Sequence, residues 1–224
     1  MQQDPQSGFT LIALLIASSV FSVILLLCTF GLVRIGQVYY KGTNMSHTQA
    51  TLRAIVDDVT QAIEYGGQTT NSTPITPSLG TTLSACFGNH RYSYVLSRQL
   101  SNTSNSSGHT GHALLVDDYE GACPLTASSD MSSSPGSTLT SGTKEMLTPG
   151  MTLFVFDVQQ DASGLYNVHI KIGIGDSDLF TDNTNAANLT FQNIHPDSAR
   201  CRGGSGQQYC AVAEVRTKVK VKVQ

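Results

Sequence analysis

Read only as hydrophobic and polar positions, the chain changes pattern twice. From Phe9 to Val33 there is no Asp, Glu, Lys or Arg, and 19 of the 25 residues are apolar. A helix of that length can cross a hydrocarbon layer of roughly 30 Å. Beyond it, Val38, Met45, Leu52, Ile55, Val59 and Ile63 recur at three-, four- or seven-residue steps. Gln49, Arg53, Asp57, Asp58, Gln61 and Glu64 fill the other faces. This spacing predicts an amphipathic continuation of the helix, with Gly66-Gly67 as its stop. One helix over 9–65 would be roughly 85 Å long at about 1.5 Å per residue. Gly31, Gly36 and Gly42 each weaken it by roughly 1 kcal/mol relative to Ala, so this is where the helix is expected to bend or partly unwind when packed into an assembly.

From Thr69 the period becomes two. Strands are expected at Arg91–Ser97, Ala113–Asp118, Thr152–Gln159, Tyr166–Ile174, Leu189–Gln192 and Ala211–Val223. Loops rich in Ser, Thr, Asn and Gly separate them, notably Ser101–Gly111 and Ser128–Thr143. One long helix followed by strands implies an α+β fold, with an antiparallel sheet packed on the upper, amphipathic part of the helix.

Composition narrows the setting. Charged residues make up 13% of the chain, about half the usual share, and 25 Ser and 24 Thr take their place. The formal charge of −3 gives no global attraction to nucleic acid or anionic lipid. Of five cysteines, Cys28 lies in the apolar run and reads as a small hydrophobe. Cys86, Cys123, Cys201 and Cys210 carry no C-x-x-C spacing, which favours disulfides over a metal site. Four cysteines allow three connectivities. The short Gly-rich loop between Cys201 and Cys210 favours that pair, leaving Cys86 with Cys123. Disulfides place the residues after the apolar run in an oxidising compartment.

The polar-to-apolar junction carries the most specific signal. Its sequence is Gly8-Phe9-Thr10-Leu11-Ile12-Ala13-Leu14-Leu15-Ile16-Ala17, after the short polar stretch MQQDPQSG. Here the chain resembles type IV pilins and the pseudopilins of type II secretion, whose precursors carry a polar leader ending in Gly, then Phe-Thr-Leu-Ile-Glu and an apolar helix. Nine of the ten residues from Gly8 to Ala17 fit. The resemblance implies that a prepilin peptidase cuts between Gly8 and Phe9 and methylates the new Phe9 amine. It also implies a single-pass inner-membrane protein with an extracytoplasmic domain, reaching the cell surface after assembly. Its partners would be other major and minor pilins or pseudopilins and an inner-membrane assembly platform. On this reading 1–8 is a leader, 9–33 the transmembrane assembly helix, 34–66 its amphipathic continuation and 67–224 the β-rich globular domain.

The chain departs from that family in two places. Its leader lacks basic residues, and Ala13 stands where the family has Glu. In the family that carboxylate pairs with the N-terminal ammonium of a neighbouring subunit, and removing one partner of a buried pair costs about 3–5 kcal/mol. Ala13 therefore points to a minor subunit, at the tip or in the initiating complex. The stretch from Gln49 to Ile63 is similar to the same region of W-type minor pilins and J-type pseudopilins. The functions to weigh are a minor pilin supporting adhesion, twitching motility or DNA uptake, a J-type secretion pseudopilin, and a signal-anchored surface binding domain.

The rest of the chain offers little chemistry. No P-loop, H-E-x-x-H or G-x-S-x-G occurs, so no enzyme and no cofactor are expected. His109 and His112 have a metal-like spacing without a third ligand. Asp176, Asp178 and Asp182 offer oxygens of the kind Ca²⁺ takes, in a spacing that misses the EF-hand loop. Arg216, Lys218, Lys220 and Lys222 line one face of the last strand, where phosphate contact is conceivable. The competing reading, lysines that keep an outer strand from pairing, is favoured because no aromatic residue is interleaved for base stacking.

Overall fold

The computed structural model describes residues 11–66, 82–100, 111–121, 126–133, 138–182, 195–204 and 206–222. They form one helix followed by antiparallel sheets, an α+β architecture. Helix α1 spans Leu11–Gly66. Strands β1 (Thr82–Phe87), β2 (His90–Val95), β3 (Leu114–Asp118) and β4 (Lys144–Glu145) form one sheet in that order. In a second sheet β5 (Met151–Gln160) pairs with β6 (Tyr166–Ile174), and β6 with β9 (Ala211–Val219). A two-stranded piece joins β7 (Phe180–Thr181) to β8 (Arg200–Cys201). Contacts divide the chain into two compact units, Met1–Tyr40 and Lys41–Gln224.

The second unit takes its core from α1 and both larger sheets. Leu52, Ile55, Val59, Ala62 and Ile63 are buried among Tyr92, Leu114, Leu153, Phe156, Ile170 and Ile172. The predicted apolar stripe is corrected at its start. Val38 and Met45 are 72% and 41% exposed, and burial begins at Thr48. Tyr92, wholly buried between Phe87 and Phe156, donates its hydroxyl to Asp58 Oδ2 at 2.7 Å. This ties β2 to the helix.

Two glycine contacts explain local geometry. The β1–β2 hairpin turns through Gly88, whose φ of +64° lies in the left-handed region. A Cβ on Gly66 would stand 1.9 Å from the Gly88 Cα, so the helix end and the hairpin touch backbone to backbone. In the second sheet, Met151–Phe156 is buried throughout. A register shift between Leu153 and Val155 makes this pattern workable. An extra residue reverses the alternation of a strand. Leu153 and Phe156 therefore join the main core, while Phe154 and Val155 join a second cluster with Phe180 and Cys210. Gly173 leaves room for that cluster, since a Cβ there would lie 2.8 Å from the Phe154 ring.

Helix α1 is unbroken through Gly31, Gly36 and Gly42 in the single chain, whereas the expected bend or unwinding concerns the helix packed into an assembly. Three isolated glycines weaken a helix without removing any backbone hydrogen bond. The last strand is shorter than expected, ending at Val219 instead of Val223. Its final ladder partner is Tyr166, where β6 begins, so no strand remains for residues further on. The expected strand Leu189–Gln192 lies outside the described residues.

Candidate functional site

The feature that asks for a partner is the first part of α1. Leu11, Ile12, Leu14, Leu15 and Ile16 are 58–74% exposed, and exposure of large apolar side chains continues to Val38. Among the described residues, α1 is the one helix long and apolar enough to cross a membrane. Its polar groups suit such surroundings. Ser18 and Ser19 donate their hydroxyls to the carbonyls of Leu15 and Ile16, at 2.9 and 2.8 Å. Ser22 and Thr29 donate to Ser18 and Leu25, both at 2.8 Å. A hydroxyl satisfied by its own helix does not need water, which lowers its cost in an apolar medium. Ala13 presents a methyl on this surface where a carboxylate would sit in the resembling family. Gly8 and Phe9, the expected cleavage and methylation residues, lie outside the described residues.

The other predicted residues fall in separate places. Cys201 and Cys210 form a disulfide with Cα atoms 5.8 Å apart. The loop they close touches α1, where Asn44 Nδ2 donates to the Gln208 carbonyl at 3.3 Å. Cys86 is also disulfide-bonded, and its expected partner Cys123 lies outside the described residues. Cys28 is a free thiol on the exposed helix.

The three aspartates weighed for calcium have different surroundings. Asp176 and Asp178 are exposed in a short turn, whereas Asp182 is 2% exposed and accepts the His195 backbone N–H at 2.9 Å. Among the described residues no three His, Cys, Asp or Glu side chains are grouped to hold a metal. His112 is committed elsewhere: it is buried, with Nδ1 3.1 Å from Glu145 Oε2. Glu145 also accepts the backbone N–H groups of Ala113, Leu114 and Leu147, each at 3.1 Å. His109 lies outside the described residues.

Arg216 and Lys218 sit on β9, at the edge of its sheet, and Lys220 and Lys222 follow its end, all four exposed. Three of the four have carboxylate partners. Arg216 Nε is 2.8 Å from Glu214, Lys218 Nζ is 3.5 Å from Asp161, and Lys222 Nζ is 2.5 Å from Glu64. Glu214 is the hub of this face, also meeting His169 at 3.0 Å and buried Lys171 at 3.3 Å. Partial burial pushes its carboxyl up, but Arg216, Lys171 and His169 outweigh that and hold it below the usual carboxylate range. Lys222 is held above the ordinary lysine range by Glu64 and Tyr65. The sequence reading missed Glu214, although its even position places it on the same face as Arg216 and Lys218. A row with three of its four cations already beside carboxylates is a weak attractor of phosphate.

With this geometry in place, the comparison with known families falls on the apolar helix. Residues 4–29 match the prokaryotic N-terminal methylation motif. That match supports a type IV pilin-like protein, either a pilin or a pseudopilin. The motif implies processing by a prepilin peptidase and assembly with other pilins. No curated protein and no solved structure matches the chain.

Proposed function

We propose that the chain is a minor pilin of a type IV pilus, acting at the tip or in the initiation complex. Its contribution is to pilus assembly, and through it to adhesion, twitching motility or DNA uptake. The observation that carries this reading is Ala13 inside an otherwise well-fitting motif. In the resembling family Glu at this place neutralises the N-terminal ammonium of a neighbour, as every repeating shaft subunit must. A subunit at the end of a filament has one neighbour fewer, so the missing carboxylate costs little there.

The mechanism then rests on helix packing. After cleavage between Gly8 and Phe9 and methylation of Phe9, the apolar face of α1 leaves lipid for the helices of neighbouring subunits. Internally bonded Ser18, Ser19, Ser22 and Thr29 make that transfer cheap. The disulfide-braced domain remains on the extracytoplasmic side as the part that faces partners.

A J-type pseudopilin of a type II secretion machine is the second reading, because the Gln49–Ile63 segment is similar to both groups. Deleting the gene separates the two. Loss of surface pili with normal protein secretion supports the pilin, and the reverse supports the pseudopilin. Position is tested by Ala13→Glu. The variant is expected to spread along the sheared filament shaft, where the wild-type chain is confined to ends under immunogold labelling. Wild-type label abundant along the shaft would contradict the tip assignment.

A further inference from the structure

Where the apolar part of α1 ends, three polar-tipped side chains surround the helix. Arg34, Tyr39 and Tyr40 are all exposed, the tyrosines by 70% and 54%. At about 100° per residue, Tyr39 lies about 140° and Tyr40 about 240° round from Arg34. They form a collar, not a stripe. The Arg34 guanidinium lies 5.4 Å from the centre of the Phe30 ring, so it reaches back toward the apolar segment. The two tyrosine rings meet edge to face with centroids 6.3 Å apart. All three belong to the first compact unit, which ends at Tyr40.

We infer that Arg34, Tyr39 and Tyr40 are an interfacial anchor that seats α1 in the lipid headgroup layer on the C-terminal side of the membrane segment. The inference rests on reading α1 as a membrane helix and specifies where the bilayer stops on it. Leu11–Val33 rises about 34 Å, enough for a hydrocarbon core of roughly 30 Å with modest tilt. Arg34 to Tyr40 rises about 9 Å, enough to cross one headgroup layer of roughly 5–8 Å. Tyrosine favours that layer because its ring is apolar and its hydroxyl is wet. The Arg34 charge over the Phe30 ring is a cation–π contact, which lowers its cost at the edge of the apolar layer. A single protein partner would touch one side of the helix. Groups spread around the whole circumference fit a medium that encloses it.

The chain contains no tryptophan, so one substitution gives a site-specific depth probe. Full-length Phe21→Trp and Tyr40→Trp chains, with Tyr39→Trp as a second collar probe, are reconstituted in phosphatidylcholine vesicles. The vesicles carry bromine deep in the acyl chains, or a spin label on the headgroup. The deep bromines are expected to quench F21W more than the headgroup label does. For Y40W and Y39W the order is expected to reverse. If F21W is quenched but neither collar probe responds to any lipid label, the anchor is wrong and the membrane helix stands. Collar probes quenched best by the deep bromines also overturn the anchor. If F21W is not quenched either, the membrane reading itself fails.

Discussion

Tyr92 concentrates the residue-scale argument. It is the largest side chain with no exposure in the core, and its hydroxyl has one carboxylate partner across the helix–sheet boundary. Tyr92→Phe keeps the ring packing and deletes the bond. A hydrogen bond to a charged group contributes about 1.5–3 kcal/mol, and Asp58 loses its partner as well. Urea unfolding of Y92F is therefore expected to show a lower midpoint with unchanged slope. The neighbouring Tyr94 makes a pH prediction. Burial, helped by the charge of Asp157, pushes its phenol up to about 12 from 10.0. Since the folded value is raised, this contribution is complete below the unfolded value and is lost as pH rises through about 12. Tyr94→Phe is expected to remove part of the stability loss between about pH 10 and 12 in alkaline melts, and to leave neutral pH almost unaffected.

At the scale of elements, the closest contacts decide what can be changed. Gly66 has the Gly88 backbone where a Cβ would sit, 1.9 Å away, and neither backbone can yield cheaply. Gly42 lies in the same helix with nothing within 4 Å of its missing Cβ. Gly66→Ala is expected to lower stability by about 2 kcal/mol or more. Gly42→Ala is expected to raise it by about 0.5–1 kcal/mol through helix propensity and a stiffer unfolded chain. Differential scanning calorimetry of the two variants checks the opposite signs. The same contacts explain which elements were legible in the sequence. Strand β6 has the expected bounds, Tyr166–Ile174, and β5 contains the expected strand Thr152–Gln159. Strand β1 was not, because Ser84, Ala85 and Cys86 neither alternate nor favour a strand strongly, and its pairing with β2 makes it one. Two-residue strands such as β7 and β8 exist only through their partners. The end of β9 was misread because sequence alternation continues past the point where β6 supplies a ladder.

At the scale of the whole molecule, the chain divides its labour. Among its described residues the first unit has no buried core and exposes apolar side chains nearly throughout. The second buries its apolar residues around the upper part of α1 and closes its last loop with Cys201–Cys210. The candidate assembly site was legible because it depends on a run of residue types and one junction, not on tertiary contacts. The basic stripe was half legible: its charges were visible, but Asp161, Glu64 and Glu214 come to it from other elements or from the strand itself. Charge patterning along one strand does not reveal neutralisation across the fold.

The central claim is that this apolar helix begins at a processed and methylated Phe9. Mass spectrometry of the N-terminal peptide from the membrane fraction, in cells with and without prepilin peptidase, tests it most directly. A peptide starting at N-methyl-Phe9 is expected when the peptidase is present, and an unprocessed N-terminus when it is absent. A chain retaining Met1–Gly8 in cells with active peptidase would contradict the claim.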